Sequence, residues 1–412
     1  MNLAESLLRG SFGQPPEILR TPAYPLLLAI AVAMKQAVVI GVLENIALAA
    51  GCACLVWRIA LDFIGDERVA ACAAILYCLE PIGLFYSAQL LSETLFCFCF
   101  LFFVQFLLAY FRSPGFSRLF KAALLLALAT YVRPVSVYLA LWLVPVLLMF
   151  PKALPRARRV GLALAFPVLV VLMLTPWMVR NQRAAGYAGF SSSGDFNIYY
   201  NSAVAVQART EHKGFLQVRD ELGYRNYYAL HPEQQGWTQG QVVAFWGSEA
   251  RRILSQHVLT YILIHARGCA VVLFDTAVTP IASALGLYPR AGGFMLARTL
   301  DKGMAGALLW LIRTYPLTAT LFLLLELPLL LVYVLGFAGL RKLSREMQFL
   351  FVASTVYFVL VSGMPGATGR FRAPFMPLLC LCAARALVWF YSRKAGSPGH
   401  VEQKTMLFPA DA

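Results

Sequence analysis

Five residues carry most of the chemistry this chain offers: Glu93 and the arginines Arg133, Arg180, Arg370 and Arg372. Each arginine stands at the end of an apolar run, beside a proline or within a short turn. A guanidinium is a planar fork of donors that meets two phosphate oxygens at once. Several such forks, brought together from distant parts of the chain, would make a site for a phosphate-bearing ligand. The ordinary alternative for any one of them is snorkelling to lipid headgroups or capping a loop. Glu93 lies in Ser92-Glu93-Thr94 with apolar sequence on both sides. An ionisable group there is costly and usually functional, unless it merely favours the positive end of the helix it opens. Glu80, before Pro81, is expected either to face the same cavity or to cap its own helix. Glu44 is given a packing role, and Glu326 fits no motif. Asp195, His212, Asp220, His231 and Glu249 show no metal-binding spacing such as HExxH and read as solvated residues.

The elements that must position these groups are membrane helices. The chain has 412 residues, 60% of them hydrophobic, and a formal net charge of +15. Apolar runs long enough to cross a roughly 30 Å hydrocarbon core recur along it. The expected fold class is all-α, a polytopic transmembrane helical protein of about nine spans plus interfacial helices. The spans are expected near 37–61, 69–86, 91–110, 120–131, 135–150, 160–179, 317–340, 348–362 and 375–390. The run 21–34, with Tyr24 between Pro22 and Pro25, is short and predicts a helix at the membrane surface. Residues 256–287 are apolar but carry His257, His265, Arg267 and Asp275, and predict an interfacial or re-entrant element. Four regions are expected: a transmembrane core at 1–180, an extracytoplasmic loop region at 181–316, transmembrane helices at 317–392 and a cytoplasmic tail at 393–412.

Basic residues set the orientation. The turns 111–121, 151–159 and 341–345 and the tail fall on one side, which is expected to be cytoplasmic. That explanation of the charge also removes the case for a nucleic-acid partner. The opposite side receives the N-terminus, Arg133, the 181–316 segment and the 363–374 loop. No signal peptide opens the chain, because Glu5 and Arg9 interrupt the first apolar residues. An outward N-terminus without a preceding helix predicts that a leading helix is missing from the chain as written. The nine cysteines lie mostly in apolar runs without CxxC spacing and read as small buried side chains rather than metal ligands. No cofactor is expected, and a divalent metal is left open.

Several short segments together resemble the membrane-embedded glycosyltransferases of the GT-C superfamily. They are Leu3–Gly10 with Phe12, Arg20–Pro25, Ser92–Leu95, Arg133–Pro134, Pro176–Asn181 and Arg370–Pro374. The likeness is to the bacterial branch of lipid A aminoarabinose transferases and protein O-mannosyltransferases. It implies a multi-pass protein of the bacterial inner membrane with its catalytic face outside the cytoplasm. It implies transfer of a sugar from a polyprenyl-phosphate carrier to an extracytoplasmic glycan, lipid or protein, within cell-envelope biogenesis. Glu93 would be the catalytic carboxylate, and Tyr24, Arg133, Arg180, Arg370 and Arg372 would bind substrate. The family's acidic pair, in its first outer loop, has no counterpart after Met1. A catalytically incomplete accessory protein and a lipid or solute transporter are therefore the competing expectations. Changing Arg370 or Arg372 to alanine is expected to weaken carrier binding more than folding.

Overall fold

The computed structural model describes residues 2–12, 17–289 and 295–394, without the side chains of 295–304 and 394. The tail expected at 393–412 lies outside the described residues beyond Lys394. Every regular element among the described residues is helical. The first half holds α1 (Asn2–Leu8), α2 (Ala23–Ala33), α3 (Ala37–Ile64), α4 (Glu67–Cys78), α5 (Pro81–Ser87), α6 (Glu93–Arg112), α7 (Phe116–Val132), α8 (Leu139–Trp142), α9 (Val144–Met149) and α10 (Arg156–Ala185). The polar segment follows with α11 (Ser193–Asn197), α12 (Val204–Thr210), α13 (Phe215–Glu221), α14 (Tyr227–Leu230) and α15 (Gln239–Gln256). The chain closes with α16 (Val258–Phe274), α17 (Val278–Ala284), α18 (Met295–Thr314), α19 (Pro316–Leu340), α20 (Arg345–Ser362) and α21 (Met376–Lys394).

The protein is a polytopic, all-α membrane protein. Among the described residues, α3, α6, α10 and α19 are long and apolar enough to cross a bilayer, and two bent pairs raise the number to as many as six. The bends fall where the sequence interrupts its own hydrogen-bond ladder. Pro81 starts α5 after α4, and the pair turns by 60°. The α15–α16 pair turns by 104° at His257, within the stretch expected to be interfacial or re-entrant. The apolar run 135–150 is broken into a 3-10 turn, α8 and α9, because Pro134 and Pro145 open new short helices. The run expected at 120–131 lies on α7, whose 17 residues span about 26 Å. Arg345 and Glu346 begin α20, and Arg385 interrupts α21, which lowers the apolar character of both.

α6 is the central pillar. Of its apolar stretch 61% is buried inside the protein, against 22% for α3 and α10 and 11% for α19. It is hydrophobic all round, as a helix surrounded by other helices must be. Phe96 and Phe100 meet Phe358 of α20 edge-on at 5.9 and 5.2 Å, and Phe103 stacks on Phe166 of α10 at 6.3 Å. Leucines and valines on the outer faces of α10 and α19 stay exposed, as lipid-facing side chains do. Cysteine usage follows the same division: Cys52, Cys97, Cys380 and Cys382 are buried, Cys54 and Cys78 are exposed, and all nine are free.

The tightest helix contact is between α19 and α21. A Cβ on Gly339 would stand 1.7 Å from the Cys382 carbonyl oxygen, and one on Gly336 2.4 Å from Leu379 Cδ1. Such glycines let membrane helices approach closely enough to gain dispersion contacts that lipid does not supply. Gly339→Val should force the helices apart and sharply lower the yield of monodisperse protein on size exclusion. Wild-type yield and thermal stability would show that the close approach is dispensable.

Candidate functional site

Glu93, Arg133 and Arg370 come together from three separate stretches of chain. Glu93 opens α6, with its carboxylate in the first turn where the helix dipole favours negative charge. Arg133 ends α7 in an extended conformation (φ −144°, ψ 127°), as the residue before a proline must. Arg370 lies in the short 3-10 turn Gly369–Arg372. Glu93 Oε1 sits 2.5 Å from an Arg133 terminal nitrogen and 3.6 Å from Arg370 Nε. The carboxylate is buried, at 7% side-chain exposure, whereas the arginines keep 21% and 35%. The cluster is therefore reached from the arginine side. The Phe371 ring lies near both guanidiniums, 5.9 Å from the carbon of Arg133 and 5.2 Å from that of Arg370. Phe96, Val135, Phe358, Ser362 and Pro374 complete the walls of a pocket of about 20 Å³. That is room for about one water molecule.

A second pair lies behind the first. Arg372 is 2% exposed and stands 3.8 Å from Glu80 Oε1, itself almost fully buried. Arg372 also donates to the backbone carbonyls of Asp275 at 2.7 Å and Leu273 at 3.3 Å. It thereby satisfies orphan carbonyls at the C-terminal end of α16 and meets the negative end of that helix's dipole. Glu80 Oε2 accepts from the Gly83 amide at the start of α5. Asp275 joins the same assembly, since its Oδ2 accepts the Gly369 amide at 2.6 Å. Only glycine fits at 369, because a Cβ there would stand 1.9 Å from the Asp275 carbonyl oxygen.

Tyr24 is buried on α2, where its hydroxyl accepts from Asn45 Nδ2 at 3.2 Å, close enough to Glu93 to feel its charge. Asn45 also donates to the Gln89 carbonyl at 2.6 Å, tying α3 to the loop before α6. Arg180 lies elsewhere. It donates to the carbonyls of Glu17 at 2.7 Å and Phe12 at 3.2 Å and to Asn181 Oδ1 at 3.0 Å, and its guanidinium stacks 4.8 Å from the Trp177 ring. Its donors hold the segment before α2 against the end of α10. Of the predicted residues, Glu93, Arg133 and Arg370 thus converge, Arg372 is their buried support, Tyr24 is a neighbour and Arg180 is a tether.

Asp275 is the group the sequence left unassigned to the cluster, whereas Glu80, expected either to face the cavity or to cap its helix, caps α5 and pairs with Arg372. The signal for Asp275 was an acid at the end of an apolar run, which reads equally well as a helix terminus. The polar segment packs alongside this side of the protein. Ser191 Oγ donates to the Leu19 carbonyl at 2.6 Å, and Asn201 lies against Gly366 in the loop before Arg370. An aromatic cluster of buried Tyr199 and Tyr200 with half-buried Tyr227 and Trp246 holds the segment together, and burial pushes the Tyr199 hydroxyl up to about 12. Among the described residues no three His, Cys, Asp or Glu side chains gather as metal ligands. Comparison with known families, characterised proteins and solved structures returns no match to this chain.

Proposed function

We propose that the protein transfers a sugar from a polyprenyl-phosphate carrier to an acceptor outside the cytoplasm. The observation that carries this reading is the meeting of Glu93 with Arg133 and Arg370 in a pocket reached from the arginine side. In the unliganded arrangement the carboxylate occupies the place an anionic ligand would take. A phosphate entering the pocket displaces Glu93 from one or both guanidiniums. The freed carboxylate then stands beside the bound phosphate as a base for an acceptor hydroxyl. The bond from the anomeric carbon to the phosphate oxygen breaks, and its electron pair stays on the phosphate, where the arginines stabilise the added charge. The acceptor oxygen bonds to the anomeric carbon and its proton passes to Glu93.

In this reading Tyr24 and the loop at 89–91 flank the site, Arg372 holds the Arg370 turn in place, and Arg180 positions the segment before α2. The nine-span arrangement, the extracytoplasmic orientation of the site and the likeness of the short motifs to GT-C enzymes belong to the same proposal. The small pocket volume favours a second reading, in which the ion pairs only lock the helices and the protein is an accessory subunit.

Incubating purified protein with radiolabelled lipid-linked sugar and cell-envelope acceptors separates the two. The transferase reading expects label on an acceptor, lost in Glu93→Gln. Absence of both transfer and carrier binding leaves the accessory reading.

A further inference from the structure

At the opposite end of α6 lies a cleft of about 660 Å³ lined by Lys152, Arg159 and Arg345 together with Leu148, Met149, Phe150 and Phe349. It is separated from Glu93 by the length of a 20-residue helix, about 30 Å. Its place at that end follows from Phe150, whose ring lies 6.1 Å from Phe111 near the end of α6 and 5.8 Å from Phe349. The volume falls in the range of small-molecule sites, roughly 300–1,000 Å³.

The three cations come from separate segments: the loop after α9, the first turn of α10 and the start of α20. None has a hydrogen bond or ion pair from its side chain among the described residues, and Arg159 Nε is buried without a partner. Four basic neighbours on the same face have partners within the protein. Arg112 donates to the Asp62 carbonyl, Arg118 to the Ser113 carbonyl, Arg341 lies over Phe337 and Lys342 over Trp389. Arg156 and Arg158, in the turn that carries Arg159, are exposed and likewise have no side-chain partner among the described residues, so what sets the three cations apart is that they line one cleft. The helix N-termini of α10 and α20 add their positive ends to the same cleft. The apolar wall is partly exposed, Leu148 at 38%, Met149 at 44% and Phe349 at 39%, so the cationic site continues into lipid-facing surface.

We propose that this cleft binds the phosphate headgroup of an anionic phospholipid from the adjoining leaflet, with the acyl chains lying along Leu148, Met149 and Phe349. A basic pocket between helices at the membrane surface meets a phosphodiester by charge, and the adjoining apolar wall selects a lipid over a soluble phosphate. This site is independent of the transferase reading.

The test is displacement of fluorescent phosphatidylglycerol from the full-length protein in detergent, followed by anisotropy. Unlabelled phosphatidylglycerol should displace it, and phosphatidylcholine should need at least about tenfold more. Lys152→Gln combined with Arg345→Gln should weaken binding roughly twenty-five-fold, at about fivefold for each cation, while Arg118→Gln should leave it unchanged. Should the double variant aggregate, raising salt to about 0.5 M on the unaltered protein must weaken binding several-fold. Equal displacement by phosphatidylcholine, salt-independent binding, or displacement by inorganic phosphate as effective as by the lipid overturns the proposal.

Discussion

Glu93→Gln is expected to lower sugar transfer by at least about a hundredfold while tightening the hold on the carrier. The first effect is the loss of a base in a transfer step, where positioned groups contribute about 10²–10⁴ in rate. The second follows from the geometry, in which Glu93 and the carrier phosphate compete for Arg133 and Arg370. Glutamine keeps the shape of the side chain and removes the charge that competes. A charge-assisted hydrogen bond contributes about 1.5–3 kcal/mol, so carrier affinity should rise by roughly tenfold or more. Opposite movements of turnover and affinity distinguish this arrangement from a simple structural ion pair, whose loss would lower both. Transfer assays and carrier titration on the same preparation measure the two. Unchanged turnover in Glu93→Gln removes the carboxylate from the chemistry. The complementary change, Arg370→Ala, should weaken carrier binding with little effect on folding, because that side chain is 35% exposed on the pocket's open side.

Arg372→Met should destabilise the protein rather than alter carrier binding directly. The sequence places Arg370 and Arg372 in one motif with one expected role, and their burial separates them. Arg372 is 2% exposed, and its removal leaves the Glu80 carboxylate buried opposite an apolar side chain, with two carbonyls at the end of α16 unpaired. Breaking such a pair from one side costs about 3–5 kcal/mol. Pairing Arg372→Met with Glu80→Gln removes the stranded charge and should recover a substantial part of the loss. Thermal unfolding of the single and double variants in detergent measures both quantities. Wild-type stability in Arg372→Met would show that the buried pair contributes nothing net to the fold.

Much of the site was legible in the sequence because polar residues inside apolar runs are conspicuous. Glu93 and Arg133 stand out against such runs, and proline beside Arg133 marks a helix end. Membrane character was equally plain, since it rests on composition over hundreds of residues. What could not be read was which neighbours claim each side chain. Arg180 and Arg133 both follow apolar runs near a proline, yet one lies within α10, stacks on Trp177 and binds backbone carbonyls while the other ends α7 and faces Glu93. That difference depends on where residues 12 and 17 return in space. Helix continuity was a further limit. The run 135–150 is as apolar as a span, and two prolines divide it into pieces that pack against α10 and α20.

The union of Gly369 and Arg372 with the end of α16 makes one side of the small pocket an anchored abutment. The facing side is held as well, since the Val132 and Val135 carbonyls accept from Thr21 at 2.8 Å and Tyr357 at 2.7 Å and Ser136 Oγ pairs with Thr130 at 3.0 Å. With both sides braced, room for a larger ligand comes from swinging the partly exposed arginine side chains and not from parting the helices.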